Sequence, residues 1–341
     1  MFKRGAVLVG FAFTLVFAYS VSAAPGLTTS GLRWSSPVRI GPSGLQVQDV
    51  SCSSSAFCVA VGNGKVARYV QGRWTRTSGI DVAHRGHIER QHVSCVSHTF
   101  CALTSTSDTS GYVYTWNGTR WSKAHSLNEG ARKAFIGDIS CTSRTFCMAV
   151  GTLYEGTTIS PHNSYGQAWR FNGTRWSRTA IFKGREDYVW LVSCTARTFC
   201  VASDQLRTQT YTGTWHRPVK MPAAGPTNPG GIPEQWQALT CVGTHWCAAV
   251  GDRSAVWNGS RWSLVRVSGW RSSTGLSCAA VGNCVVMDDW GHARTLTSGS
   301  WSSPVLADSK NPSGNPLPVS CPTTTWCMAA DAAGYTVRGV S

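Results

Sequence analysis

The chain has 341 residues and a net charge of +15, with 14 cysteines, 16 tryptophans, 35 glycines and only 14% charged residues. That is the composition of many short strands joined by turns, and the absence of any long stretch with helical periodicity and helix caps argues against a helical protein. There is no basic run and no nucleic-acid-binding motif, so the charge points to polyanions such as cell-wall phosphates, acidic polysaccharides or anionic surfaces rather than to nucleic acid.

The N-terminus reads as an export signal. Lys3 and Arg4 precede an apolar run from Ala6 to Ala18, and Val21-Ser22-Ala23 offers the small residues of a cleavage site after Ala23. The run is short for a spanning helix, which needs about 20 residues, although an uncleaved anchor is the alternative. Cleavage of residues 1–23 removes Lys3 and Arg4, leaving 29 basic and 16 acidic residues and a net charge of about +13. No later stretch is apolar enough to span a membrane. A secreted, soluble mature chain over residues 24–341 is expected, as a monomer.

Downstream, the cysteines fall into seven pairs with five residues between partners: Cys52 and Cys58, Cys95 and Cys101, Cys141 and Cys147, Cys194 and Cys200, Cys241 and Cys247, Cys278 and Cys284, and Cys321 and Cys327. Successive pairs start 43, 46, 53, 47, 37 and 43 residues apart, a period suited to a four-stranded propeller blade. An apolar residue and a Ser or Thr precede each first cysteine, as in Val50-Ser51 and Leu239-Thr240, and an aromatic usually precedes the second, as in Phe57 and Trp246. A short apolar strand follows, such as Val59-Ala60-Val61-Gly62. A third segment leads into a turn at Asn117-Gly118, Asn172-Gly173 or Asn258-Gly259, with Gln71-Gly72 and Thr212-Gly213 as weaker copies. Asn-Gly is a strong hairpin signal because both residues of a two-residue turn must accept positive φ. The turn also explains the glycosylation sequons at Asn117, Asn172 and Asn258. A fourth segment carries Trp74, Trp121, Trp176, Trp215, Trp262 or Trp301.

One such unit cannot bury both faces alone, whereas radial stacking does so. The last unit ends at Ser341 with no fourth strand. Gly31-Leu32-Arg33-Trp34-Ser35-Ser36-Pro37-Val38 matches Gly299-Ser300-Trp301-Ser302-Ser303-Pro304-Val305. The expectation is an all-β, seven-bladed propeller in a single domain, closed by residues 31–40 acting as the outer strand of the last blade. The pattern Ser-Cys-x5-Cys-x-Ala-Val-Gly followed by Trp-Asn-Gly-x-x-Trp-Ser resembles the repeat of secreted actinobacterial β-propeller proteins, over nearly the whole mature chain. The resemblance implies fold and export, not a reaction. The turn before the tryptophan also looks like the Asp-box of sialidase-type propellers, though it carries Asn and is shorter, and no arginine set matches a sialidase site.

Export favours disulfides over metal ligation for the cysteine pairs, and no His is spaced to complete a zinc site. Each pair is expected to bridge within its own unit: Cys52 to Cys58, Cys95 to Cys101, Cys141 to Cys147, Cys194 to Cys200, Cys241 to Cys247, Cys278 to Cys284 and Cys321 to Cys327. Each bridge closes a loop of about seven residues, worth about 2 kcal/mol in the chain-entropy model. No metal or cofactor is expected. The recurring tryptophans read as packing between blades. Arg73, Arg120, Arg175 and Arg261, each preceding one, read as charge guarding an outer strand edge or as a basic rim for an acidic polymer.

The turn between first and second strands has one length in all seven units, and the turn between third and fourth is always short. The other two connections vary, as at Gly151 to Gly166 and Val219 to Gln237. In a propeller the variable connections share one face, which is the candidate binding face. Trp190, Trp236, Trp270 and Trp290 lie outside the repeat and map to that face, where they bind a ligand or seal the loops. Tyr188 and Arg185, with Glu186 and Asp187, stand beside Trp190. Asp49, His92 and Asp138, three residues before the first cysteine of units one to three, form a second candidate cluster at the channel mouth, suited to metal binding or acid–base chemistry. His84 and His87 join His92 in a His-rich loop and read as solvated. The expected function is a non-enzymatic binding or interaction module for a glycan or acidic cell-envelope polymer. The alternatives are a glycan-active hydrolase or lyase using the channel-mouth residues, and a scaffold for an extracellular protein.

Overall fold

The computed structural model describes residues 31–40, 45–76, 80, 88–107, 110–156, 163–182, 188–204, 206–223, 225, 235–267, 269, 272–311 and 315–341. They form seven antiparallel sheets, each an up-and-down meander of neighbouring strands. The first blade shows the plan: Asp49–Ser54 is innermost, then Phe57–Gly62, Lys65–Val70 and Arg73–Arg76 at the rim. The inner strands of the other blades are Ile88–Ser97, Lys133–Ser143, Leu191–Ala196, Ala238–Val242, Ser273–Ala280 and Val319–Thr323. The protein is a seven-bladed β-propeller with one disulfide per blade.

The cysteine spacing has a direct structural cause. In the first blade Cys52 faces Cys58 across the inner hairpin, with a bulge between Cys52 and Ser54 absorbing the turn. In the next five blades Cys95 faces Cys101, Cys141 faces Cys147, Cys194 faces Cys200, Cys241 faces Cys247 and Cys278 faces Cys284 in the same way. Their Cα–Cα separations of 3.9–4.0 Å place side chains close enough to bridge. In the last blade the ladder is irregular between Ser320 and Thr323, yet Cys321 and Cys327 still approach to 4.1 Å and are bridged. The expected pairing within each unit is therefore observed in all seven. The second cysteine of each pair is the more deeply buried: Cys58, Cys101, Cys147, Cys200 and Cys247 have no exposed surface, and Cys284 and Cys327 are almost as enclosed. They sit on the second strand of the blade, which has a neighbouring strand on either side.

The serine before the first cysteine joins blades around the channel. Ser51 Oγ accepts the N–H of Cys95, Ser94 that of Cys141, Ser140 that of Cys194, and Ser193 that of Cys241, each at 2.9 Å. Ser277 accepts from Cys321, and Ser320 accepts from Cys52 across the seam between last and first blades. Each bond satisfies an inner-strand N–H that no neighbouring strand can reach.

The N-terminal segment completes the last blade. Arg33 and Trp34 pair with Val340 and Gly339, and Val38 and Arg39 pair with Thr336 and Tyr335. Ser35-Ser36-Pro37 interrupts the strand between these two pieces. Ser302–Pro304 does the same in the sixth blade, between Ser300–Trp301 and Val305–Leu306. Proline is tolerated there because the strand is an edge.

Two expectations about the outer hairpins are corrected. Only glycine has positive φ in the three outer Asn-Gly turns, 98° at Gly118, 104° at Gly173 and 93° at Gly259. These are four-residue loops, since Trp116 bridges Trp121, Phe171 pairs with Trp176 and Trp257 with Trp262. The asparagine acts through its side chain: Asn117 Oδ1 accepts from the Thr119 N–H, the Thr119 hydroxyl and the Arg120 N–H. Asn172 and Asn258 do the same. The sequon-like Thr or Ser is thus a turn residue. Two-residue turns with both φ positive occur instead at Gln71-Gly72 and Ser298-Gly299. In the second and fourth blades the tryptophan also precedes the outer strand: Trp121 and Trp215 form isolated bridges, and the strands are His125–Ser126 and Val219–Lys220.

The recurring tryptophans pack between blades, and the register explains which of them also bond. Trp74 Nε1 donates to Thr336 Oγ1, Trp262 to Thr208 Oγ1 and Trp301 to Ser254 Oγ. Each acceptor sits in the third strand of the preceding blade, three residues before the residue facing the second cysteine. The same position holds Val66, Val113, Ala168 or Ala293 in the other four blades, which offer no acceptor.

Candidate functional site

The antiparallel meander puts the disulfide hairpins and outer turns on one face, and the variable connections on the other. On the variable face the inner strands begin, and the channel opens between them. The residue three before each first cysteine lines it: Asp49, His92, Asp138, Leu191, Ala238, Gly275 and Pro318 surround a cavity of about 150 Å³. The first three blades therefore give the channel a charged wall, and the other four an apolar or featureless one.

Asp49, His92 and Asp138 are brought together as the spacing suggested. His92 Nδ1 lies 3.6 Å from Asp49 Oδ2 and 3.7 Å from Asp138 Oδ1. Both carboxylates also join blades. Asp49 accepts from its neighbour Val50 and from Val93 of the second blade. Asp138 accepts from Ile139 and from Val192 of the fourth blade. Burial pushes the Asp138 carboxyl up to about 6, against the pull of His92 and of the Val192 N–H. His92 Nε2 is buried and has no hydrogen-bond partner among the described residues. Backbone donors occupy the two carboxylates, which leaves them poor metal ligands, and no described group of three His, Cys, Asp or Glu side chains is arranged to hold a metal ion.

Above this ring the channel widens into a hollow of about 580 Å³, whose polar lining includes Gln46, Gln48, Arg90, Gln91, Gln237 and Asn315, with His92 and Thr274 at its floor. Gln91 is fully buried, its Oε1 accepting the Gly64 N–H of the first blade at 2.8 Å. Its amide nitrogen is enclosed and has no partner among the described residues. Sequence reasoning missed this amide set. The signal was available one residue upstream of the channel position, where Gln48, Gln91, Gln237 and Thr274 stand four before their first cysteines.

The loop tryptophans separate into different roles. Trp190 packs edge-on against Phe135 at 5.3 Å and stacks on Tyr188 at 6.3 Å, and the Arg90 guanidinium lies over its ring at 4.8 Å. Trp190 thus holds Arg90 at the hollow rather than presenting a bare face. Trp236 is only 3% exposed, donates to the Pro222 carbonyl and belongs to the core between the fourth and fifth blades. It seals its loop, the second of the two roles the sequence left open for it. Trp290 is 49% exposed on the turn between Asn283–Asp288 and His292–Thr297. Trp270, Arg185, Glu186, Asp187, His84 and His87 lie outside the described residues.

The fold and the channel define the class: a disulfide-stapled seven-bladed propeller with a polar hollow at one end of its channel. No protein-family model matches the sequence, and no curated protein aligns with it. Solved structures match it as folds. YCF48 bound to D1 peptide superposes with a TM-score of 0.60 at 13% identity, over 90% of this chain and 97% of that one. A catalytically inactive histidine-to-alanine variant of virginiamycin B lyase from Staphylococcus aureus, with quinupristin, gives 0.65 at 9% identity over 91% and 100%. The WD40 propeller domain of Doa1 gives 0.61 at 8% identity over 90% and 97%. At these identities the likeness concerns the propeller fold alone. The set contains both non-enzymatic propellers and a lyase.

Proposed function

We propose that the protein is an exported, non-enzymatic binding module that takes a glycan, or a segment of an acidic cell-envelope polymer, over the channel mouth on the variable face. One observation carries this reading: the hollow is lined by the amide residues Gln46, Gln48, Gln237 and Asn315, with Arg90 beside them. Amides offer paired donors and acceptors that match the hydroxyls of a sugar ring. Arg90, positioned by Trp190, supplies a guanidinium for a carboxylate. Seven disulfides and no free cysteine among the described residues fit folding in an oxidising compartment, which supports export. So does the resemblance to secreted propeller repeats. Among the described residues no helix is long and apolar enough to cross a membrane.

The test is a glycan array probed with the wild type and with Gln237→Leu and Arg90→Gln. Specific glycan binding that both variants weaken by about tenfold or more supports the reading. Binding only to peptides, as in the YCF48 complex, replaces the glycan with a protein partner and makes the module a scaffold.

A second reading rests on the histidine between two carboxylates. With Asp138 raised toward neutrality and His92 Nε2 facing no protein partner, the cluster has the elements of an acid–base pair. Turnover of a bound glycan that His92→Ala abolishes while affinity persists makes the protein a hydrolase or lyase.

A further inference from the structure

A cavity of about 660 Å³, larger than the channel hollow, opens on the side of the ring between the third and fourth blades. Its walls are the outer halves of two sheets. Arg170, Ser177 and Thr179 come from one blade, and Arg207, Tyr211 and Trp215–Pro218 from the other. The register explains why this groove has no indole clamp. The position that carries Thr208, Ser254 or Thr336 at bonded tryptophans is Ala168 here, so Trp215 has no acceptor on the blade before it. Trp215 is half-buried against the core between these blades and lines the groove.

The groove is cationic. Among the described residues three arginines and His216 line it and no carboxylate does. Asp204 already neutralises Arg207 through contacts of 2.6 and 2.8 Å. Arg170 donates to the Tyr211 hydroxyl at 3.1 Å, which fixes one edge of its guanidinium and leaves the rest available. Among the described residues no carboxylate lies within ion-pairing distance of Arg170 or Arg217. Two uncompensated guanidiniums beside an indole suit a ring that carries an anion: planar forks meet carboxylate oxygens in pairs, and the aromatic face covers the sugar.

We propose that this groove is a second binding site, separate from the channel mouth, for carboxylate-bearing sugar residues of an acidic polysaccharide. The sugar ring lies on Trp215, and Arg170 and Arg217 meet its carboxylate. The site does not depend on the reading of the channel hollow, because the two cavities share no lining residue.

The experiment is titration calorimetry of the intact protein with an oligogalacturonate, a neutral oligogalactan and inorganic polyphosphate. Binding of the oligogalacturonate that the double change Arg170→Gln with Arg217→Gln weakens by about tenfold or more is the expected result, with the oligogalactan bound much more weakly. Arg73→Gln with Arg120→Gln, on other blades, is expected to leave this affinity unchanged, and an unaltered melting curve shows that each variant is folded. Equal binding by the groove variant and the wild type overturns the proposal. An equal loss in the variant lacking Arg73 and Arg120 overturns it in favour of diffuse charge attraction. Loss confined to Arg90→Gln places the ligand in the channel and also overturns it. Tighter binding of polyphosphate than of oligogalacturonate overturns the sugar assignment and makes the groove a phosphate-polymer site.

Discussion

At the scale of single residues, one hydroxyl decides how a repeated tryptophan is held. Trp262 is 8% exposed, and Thr208 accepts its N–H at 2.9 Å. Thr208→Val keeps the shape and removes the acceptor, so a loss of about 1–3 kcal/mol is expected in chemical denaturation. The equivalent Val113→Ala change touches no such bond and costs only its buried methyl groups. Titration gives a second residue-scale prediction. Asp138 and Asp331 are both raised from 3.8 to about 6, chiefly by burial. The folded state therefore binds more protons than the unfolded state between about pH 4 and 6. The stability these groups contribute is fully present below about pH 4 and is lost as pH rises through about 6. Asp138→Asn is expected to flatten part of that fall when denaturation midpoints are compared from pH 4 to 7. An unchanged slope contradicts a raised Asp138. The identity of the cluster was legible in the sequence, because Asp49, His92 and Asp138 share one offset from their cysteines. Its chemistry was not, since the backbone N–H groups of Val93 and Val192 that occupy the carboxylates come from neighbouring blades.

At the scale of elements, the cysteine pair is a ruler because the hairpin length is fixed: five intervening residues bring the two Cα atoms face to face, with a bulge after the first cysteine in the first blade and none in the fifth. Non-reducing peptide mapping is expected to recover the seven pairs within their own hairpins, and a bridge between blades contradicts the register. The seam gives a sharper test. Deleting residues 31–40 removes the strand paired with Tyr335–Val340 and the packing of Trp34 on Gly339, and a sharp fall in melting temperature is expected. Ser320→Ala removes only the acceptor for Cys52 and is expected to cost about 1 kcal/mol. The outer turns were misread because Asn-Gly does not by itself set loop length. The residues after it do: Thr119 and Arg120 bond back to Asn117, whereas Arg73 follows Gln71-Gly72 directly into a strand. Between its two roles, Trp236 stayed undecided for a related reason. Its distance from the repeat said that it was not a blade tryptophan, but its burial depends on the Pro222 carbonyl, which only the fold brings near.

At the scale of the whole molecule, one consequence of the meander organises everything else. Disulfide hairpins of one length gather with the short outer turns on one face and the variable connections on the other, so one end of the ring varies little in length and the other varies widely. This much followed from turn lengths in the sequence. The polar hollow did not, because its lining is drawn from short segments of five blades that are far apart in the chain and meet only when the ring closes. The cationic groove in the side wall was hidden likewise, since Arg170 and Arg217 belong to different blades. The central claim is that ligand recognition occurs over the channel mouth. Hydrogen exchange with mass spectrometry, with and without the best ligand from the array, tests it most directly. Slowed exchange is predicted around Gln46–Gln48, Arg90–His92 and Gln237, with the disulfide hairpins unchanged. Protection confined to those hairpins and the outer turns, with none at the channel mouth, would contradict it.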